Sequence, residues 1–267
     1  MKNIVVATDF SAAADNATFF AARLAQQTGG AITLVHIYQI PVSMNDVPVM
    51  MVSADELRNN AESGLQKTAE GIRQNFPELQ VQTESRLGDV VDELNEICDG
   101  LQPLAIVVGK HGSSGVERLL FGTTATSVIR HAKFPVITVP DTTTQFQLRN
   151  IGLASDGTPI PGQEALITDF VSQVGARLHI VHIQERNTSE PAYKQILPGL
   201  QPQYHNIKDA DFMHGMETFI QNTGIDMLMV LPHRHSFMER IFFKTHTAEL
   251  VEKVQVPMMS IPGAGGE

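Results

Sequence analysis

Short apolar runs alternate with longer amphipathic stretches along the first half of the chain. The runs are rich in Val and Ile and show no apolar–polar alternation, which is typical of strands covered on both faces. The pattern predicts strands at 3–8, 31–38, 80–86, 105–108 and 136–139, and helices at 12–28, 54–75, 89–100 and 122–132 between them. This order predicts a doubly wound α/β domain with a parallel sheet and right-handed crossovers.

An internal repeat divides the chain into two similar halves. The segment Asn-Ile-Val-Val-Ala-Thr-Asp at 3–9 recurs 147 positions later as Asn-Ile-Gly-Leu-Ala-Ser-Asp at 150–156. Leu-Val-His-Ile at 34–37 recurs as Ile-Val-His-Ile at 180–183, and Glu117-Arg118, Pro135 and Pro140 recur 122 positions later. We therefore predict two domains of one fold, at 1–141 and 148–264, with the boundary in the polar run 141–145.

Composition narrows the class of protein. The hydrophobic residues, at 42%, and the 20 glycines together make up about half of the 267 residues, as in folded globular chains. A net charge of −10 opposes binding to nucleic acid. The longest apolar runs are too short to cross a membrane or to form a secretory signal, and Cys98 is the only cysteine. We expect a cytoplasmic protein with no membrane or nucleic-acid partner.

The loop after the fourth predicted strand carries the strongest chemical signal. Gly109 and Gly112 flank Lys110-His111, and Gly122 precedes Thr123 and Thr124 at a predicted helix start. Glycines let backbone approach a phosphate, and a helix N-terminus offers amide donors and a partial positive charge. The alternative is that Gly109 and Gly112 only shape a loop and that Gly122 packs against the sheet.

Three motifs together resemble the universal stress protein family. They are the glycine pattern Gly109-x2-Gly112-x9-Gly122-Thr123, the strand end Ala7-Thr8-Asp9, and the segment His-Ala-Lys-Phe-Pro-Val at 131–136. Both halves resemble the family, so the chain is similar to its tandem members. The resemblance implies two tandem Rossmann-like domains of the adenine nucleotide alpha hydrolase type, each a five-stranded parallel sheet of order 3-2-1-4-5 with helices on both faces.

The resemblance also implies a site for ATP or another adenine nucleotide in the first half. Asp9 then holds the adenine or ribose near Ala7 and Thr8, and Ile37 lines the adenine pocket. Val108 and Gly109 border the ribose. The phosphates are bound by Gly112, Gly122, Thr123 and Thr124. A divalent metal such as Mg or Mn would bridge the phosphates, without a protein metal site. Ala125 stands where the family commonly has Ser or Thr, so one hydroxyl contact is missing. Asp9 could alternatively cap the following helix.

The second half departs from the glycine pattern. Leu231, Arg234 and Lys244 stand where the first half has Gly109, Gly112 and Gly122, and only Thr245 is kept. Side chains then occupy positions where backbone must approach phosphate, so we expect no usual ATP binding there. Seven of the ten histidines lie in this half. His233 and His235 could chelate a metal, but a site needs three or four ligands, whereas His182 repeats His36 and is expected to be structural.

These features predict a nucleotide-binding stress-response sensor or interaction protein without enzymatic catalysis. Its second domain would be structural or bind an unknown protein partner. The alternatives are a slow ATPase or nucleotidyl transferase using Lys110, His111 and Arg118, and a nucleotide-free scaffold. The family resemblance further implies that the fifth strands, 136–140 and 258–262, pair within the chain and that two chains form a homodimer. The segment 41–53 could close over the ligand or serve as a packing arm.

Overall fold

The computed structural model describes residues 2–40, 53–110, 123–144, 146–155, 160, 162–184, 196–231 and 255–263. The first half contains β1 (Asn3–Ala7), α1 (Ala12–Thr28), β2 (Ala31–Tyr38), α2 (Ala54–Asn75), β3 (Val81–Leu87), α3 (Val90–Leu101), β4 (Ala105–Gly109), α4 (Thr123–His131) and β5 (Val136–Val139). The second half contains β6 (Asn150–Ala154), α5 (Glu164–Val174), β7 (Arg177–Gln184), a short 3-10 helix (Pro198–Leu200), β8 (Gln203–Lys208), α6 (Phe212–Thr223), β9 (Met227–Val230) and β10 (Met258–Ser260). The predicted elements of the first half are all present, and each of their ends agrees with the prediction or differs from it by one residue.

All strands belong to one ten-stranded sheet of order β3-β2-β1-β4-β5-β10-β9-β6-β7-β8. Each half therefore has the predicted order 3-2-1-4-5, and neighbouring strands within a half are parallel. The halves meet where β10 pairs antiparallel with β5, through Met258 with Thr138, Met259 with Ile137 and Ser260 with Val136. The predicted pairing of the fifth strands is confirmed. The domain bounds 1–141 and 148–264 stay a prediction.

Apolar side chains cover both faces of the sheet. On one face, α1, α2 and α5 bury residues such as Phe20, Leu65 and Phe170. On the other, α3, α4 and α6 bury residues such as Leu94, Val128 and Phe219. The central strands are therefore mostly apolar, and their sequence shows runs and not an alternation. None of the described helices is long and apolar enough to cross a membrane.

Local sequence sets both ends of α1 and the start of α3. Helix α1 begins after Ser11, whose hydroxyl accepts a hydrogen bond from the Ala14 amide at 3.3 Å, and ends at Gly29 with φ of +63°. Helix α3 begins after Asp89, whose Oδ1 accepts from the amides of Val91 and Asp92 at 2.9 and 3.3 Å. These side chains satisfy amide groups that the first helical turn leaves without partners.

Candidate functional site

The candidate site lies where the carboxyl ends of β1 and β4 meet. β1 pairs with β2 on one side and with β4 on the other. The chain leaves β1 toward β2 and later returns to β4, so the strand order reverses between β1 and β4. The loops that follow these two strands therefore border one crevice, the position at which open α/β sheets bind ligands.

Thr8 is fixed by three hydrogen bonds at the end of β1. Its amide donates to the Val35 carbonyl at 2.9 Å, and its hydroxyl accepts from the Phe10 amide at 3.0 Å. The Nδ1 atom of His36 lies 2.7 Å from the Thr8 carbonyl oxygen, so His36 carries its proton on Nδ1 and donates it. The wall of the crevice is thus held in place by the neighbouring strand β2.

Asp9 is exposed at the mouth of the crevice. Its Oδ1 accepts hydrogen bonds from the amide and the hydroxyl of Ser11, at 3.1 and 2.6 Å. The residue that caps α1 is Ser11, so the alternative of Asp9 as the helix cap is wrong. The carboxylate instead orders the turn that leads into the cap, and it stays beside the partially positive start of α1.

Gly109 at the end of β4 lies directly against the first turn of α1. A Cβ atom at this position would stand 2.9 Å from the carbonyl carbon and oxygen of Ala13, and 3.1 Å from the Ala14 amide nitrogen. Contact with the helix backbone accounts for this glycine without any ligand, whereas the structural alternative predicted that Gly109 shapes a loop. Lys110 follows with 7% of its surface exposed, and its amide donates to the Val139 carbonyl at 2.9 Å.

The remaining predicted residues lie on the strands β1, β2 and β4 and on the start of α4. Ala7, Ile37 and Val108 all pack against the core on the α3 and α4 face of the sheet, as one pocket wall requires. Thr123 is the first residue of α4, and Thr124 is exposed on its first turn. Ala125 is buried in the core, which explains why a methyl group is tolerated there. The predicted Gly112 and Gly122, together with His111 and Arg118, lie outside the described residues.

The second half repeats the hydrogen bonds of Thr8 and His36, but it has Leu231 in place of Gly109. The Ser155 amide donates to Val181 at 2.9 Å, and His182 Nδ1 lies 3.1 Å from the Ser155 carbonyl oxygen, as Thr8 and His36 do in the first half. This repetition supports the structural role predicted for both histidines. Leu231, the counterpart of Gly109, is buried with 7% exposure.

The start of α5 explains how the second half accommodates a leucine there. By the shift of 147, Ala13 corresponds to Ile160, yet α5 begins only at Glu164. Ile160 is itself buried and belongs to the same apolar cluster as Leu231. A buried isoleucine thus stands at the position of Ala13, and it belongs with Leu231 to one apolar cluster. Arg234, Lys244 and Thr245 lie outside the described residues.

Sequence reasoning missed the role of Phe10. This residue has a left-handed φ of +62°, and its ring lies 4.4 Å from the His36 ring between centroids. A Cβ atom at Gly64 of α2 would stand 2.6 Å from the Phe10 ring. The glycine inside the amphipathic pattern of α2 was the available signal, because an interior helical glycine costs stability unless a neighbour needs the space.

The buried His179 of the second half is hydrogen-bonded to the half-buried His205 and to Asn150. His179 Nδ1 lies 3.1 Å from His205 Nε2, and His179 Nε2 lies 3.3 Å from Asn150 Oδ1. Because this Asn150 oxygen can only accept, His179 donates through Nε2 and accepts through Nδ1. Burial, then the charges of His205 and Arg177, lowers the pKa of His179 to about 4. Burial also lowers the pKa of His205.

Within the described ranges, no three His, Cys, Asp or Glu side chains are arranged to hold a metal ion. His233 and His235, the possible chelating pair of the sequence, lie outside these ranges. Cys98 is buried, and burial, with a further contribution from Asp99, raises the pKa of its thiol to about 12. A protonated, buried thiol is a poor nucleophile and metal ligand.

Comparison with known proteins shows which family this sequence matches. A model of the universal stress protein family matches residues 1–140, just over half of the chain. A universal stress protein from Mycolicibacterium smegmatis is 27% identical over 229 residues, covering 77% of this chain and 76% of that protein.

Comparison with solved structures concerns the fold of the chain. A universal stress protein from Archaeoglobus fulgidus DSM 4304 covers 98% of both chains with a TM-score of 0.72 and 17% identity. A universal stress protein solved in complex with cAMP covers 52% of this chain and 96% of its own, with a TM-score of 0.40 and 21% identity. The first of these likenesses extends over both halves, and at its identity it establishes the fold alone.

Proposed function

The chain belongs to the universal stress protein family, and on that premise we propose that its first half binds an adenine nucleotide. We propose ATP as the ligand, with Mg or Mn bridging its phosphates. Asp9 faces the ribose side, Ala7, Ile37 and Val108 form the apolar wall, and the start of α4 at Thr123 and Thr124 receives the phosphates. Gly109, Gly112 and Gly122 complete the loop between them in this proposal.

The observation that carries the proposal is the crevice between β1 and β4. On its β1 side, Thr8 is fixed through His36 at 2.7 Å and the Asp9 carboxylate is exposed. On its α4 side, a helix of nine residues begins at Thr123 with an exposed Thr124. The amides of a first helical turn bind anions, and hydroxyl groups beside them add donors. These features of the described residues support the proposal.

We propose a binding protein of the stress response rather than an enzyme. It would act in the cytoplasm as a homodimer, and its second half would be structural or contact a protein partner. The buried Leu231 supports loss of nucleotide binding in that half, because it fills the position of Gly109. A slow ATPase remains the competing hypothesis, and it needs Lys110, His111 and Arg118 close to the phosphates.

Calorimetric titration of ATP and Mg into nucleotide-free protein tests this function. We expect one site per chain, lost in Gly122→Lys, which copies Lys244 of the second half, and weakened in Thr124→Ala. Thr126→Ala is the matched control, since position 126 is two residues further along α4 and is half-buried. Absence of binding in the parent protein would refute the proposal. Repeated release of phosphate, abolished by His111→Ala with binding retained, would favour the ATPase.

A further inference from the structure

A second groove lies at the other end of α1, between this helix and the segment that joins the two halves. Its volume is about 460 Å³, within the range of about 300–1,000 Å³ that is usual for small-molecule sites. Helix α1 lines it with Arg23, Gln26 and Gln27, and the joining segment lines it with Thr144, Phe146 and Gln147. The crevice between β1 and β4 borders the first turn of α1, whereas the three helical residues of this groove lie on its last two turns.

Arg23 is held in one orientation at this groove. Its guanidinium carbon lies 5.6 Å from the centroid of the Phe19 ring and 5.0 Å from that of Phe76. Its Nη1 donates to Gln26 Oε1 at 3.2 Å. A guanidinium held by two rings has lost much of its freedom before a ligand arrives, so less entropy is lost on binding.

Gln27 of α1 fixes the joining segment, which forms the opposite wall of the groove. Its Nε2 donates to the carbonyls of Leu148 and Val174 at 2.7 and 2.9 Å, and its Oε1 accepts from the Leu148 amide at 3.1 Å. The amide of Gln147 is oriented by Arg149, whose Nε and Nη2 donate to Gln147 Oε1 at 3.2 and 2.8 Å. The groove is therefore preformed by residues of both halves.

The lining has a clear chemical character. It contains one cation, three amides, one hydroxyl and one aromatic ring, and none of the six residues is acidic. On the adjoining helix α5, Asp169 is engaged by Lys2 and by Gln173, each at 2.6 Å. The Phe146 ring packs edge-on against Phe19 with centroids 5.0 Å apart, which gives the groove an apolar floor.

From this juxtaposition we propose that the groove binds a small organic carboxylate with a flat apolar body. The carboxylate forms a paired hydrogen bond with the Arg23 guanidinium, whose planar fork matches its two oxygens. The apolar body lies against Phe146. This site is separate from the nucleotide site, and its occupancy does not depend on whether the first half binds ATP.

Benzoate is the probe for this site, followed by amide shifts in NMR spectra of the full chain. We expect saturable shifts centred on Thr144, Phe146 and Gln147, with binding at least fivefold weaker in Arg23→Gln. Arg58→Gln is the matched control, because Arg58 is also an exposed helical arginine, paired with Glu62 on α2. Its affinity for benzoate should equal that of the parent protein.

Two further probes separate charge from shape in the unaltered protein. Benzamide, which keeps the ring and lacks the charge, should bind at least fivefold more weakly than benzoate. Inorganic phosphate, which keeps a charge and lacks the ring, should also bind more weakly. Equal binding of benzamide, equal binding of phosphate, shifts centred elsewhere, or unchanged affinity in Arg23→Gln would each overturn the proposal.

Discussion

At the scale of the residue, the buried His179 imidazole makes the stability of the chain depend on pH. It accepts a hydrogen bond from His205 and donates one to Asn150, so only its neutral form fits both partners. Protonation of Nδ1 would place two donors against each other. The pKa of His179 is lowered to about 4 in the folded chain, compared with 6.5 for an ordinary histidine.

We predict that this histidine destabilises the fold as the pH falls from about 6.5 to 4. In that window the unfolded chain binds the proton that the folded chain excludes, so the free energy of unfolding decreases with decreasing pH. The full effect is about 3 kcal/mol, from about 1.4 kcal/mol for each unit of pKa difference. Urea unfolding followed by circular dichroism at pH 7.5 and 4.5 measures it, because the chain has no Trp.

The matched variants are His179→Gln and His131→Gln, the second at an exposed histidine. His179→Gln should reduce the difference in stability between the two pH values by about 2–3 kcal/mol, whatever its stability at pH 7.5. His131→Gln should leave that difference close to its original size. An undiminished pH dependence in His179→Gln would show that other groups cause the acid sensitivity.

Residues were predictable where the sequence repeats itself. His36 and His182 occupy equivalent positions, and both donate to the carbonyl of the residue after the first strand of their half. Phe10 was not predictable in this way. Its backbone is left-handed, and its ring lies against Gly64, which is far from it in the sequence. The His179 pair likewise depends on the register of β7 against β8.

At the scale of the element, the position of α1 on the sheet depends on the absence of a side chain at Gly109. The contact is between backbone and backbone, since the nearest atoms to an added Cβ are the carbonyl carbon and oxygen of Ala13 at 2.9 Å. We predict that Gly109→Ala lowers the free energy of unfolding by about 1–3 kcal/mol, as overpacked cores do. Urea unfolding at neutral pH measures this change.

Gly71→Ala on α2 is the matched control for this prediction. An added Cβ at Gly71 meets no atom within 4 Å, and alanine favours a helix over glycine. This variant should gain about 0.5–1 kcal/mol. If Gly109→Ala were as stable as the parent protein, α1 would have to shift away from β4 at little cost, and the packing role of this glycine would be refuted.

Element type and order were predictable because short apolar runs alternate with longer amphipathic stretches in the first half. Even the ends were nearly right, since Ser11, Gly29 and Asp89 mark helix termini by local chemistry. The late start of α5 at Glu164 was not predictable from the local sequence, because it accompanies the packing of Ile160 and Leu231, far apart in the chain, into one apolar cluster. For the candidate site, the sequence predicted its place in the sheet, whereas the packing role of Gly109 required coordinates.

At the scale of the whole molecule, the helices of the two halves are joined by a small set of side chains. Gln27 of α1 makes three hydrogen bonds to the backbone of Leu148 and Val174, and Lys2 pairs with Asp169 of α5 at 2.6 Å. Lys2 and Asp169 are each nearly half exposed, so their ion pair contributes little. The family resemblance predicted the pairing of β5 with β10, but it did not predict these contacts.

We predict that Gln27→Ala destabilises the chain by about 1–3 kcal/mol, because it leaves backbone groups of the buried Leu148 without their partner. Gln26→Ala is the control, since Gln26 is exposed and its hydrogen bond within the described ranges is with Arg23. Hydrogen exchange should show faster exchange of the Leu148 amide in Gln27→Ala alone. Equal exchange rates in both variants would contradict this role.

The antiparallel seam between β5 and β10 limits how copies of this chain can assemble. β5 lies between β4 and β10, and β10 lies between β5 and β9, so both fifth strands already have a neighbour on each side. The fifth-strand pairing that could join two separate single-domain subunits is therefore already formed within one chain. Any larger assembly must grow from a different surface, and each added chain brings one first-half crevice and one second-half counterpart in a fixed one-to-one ratio.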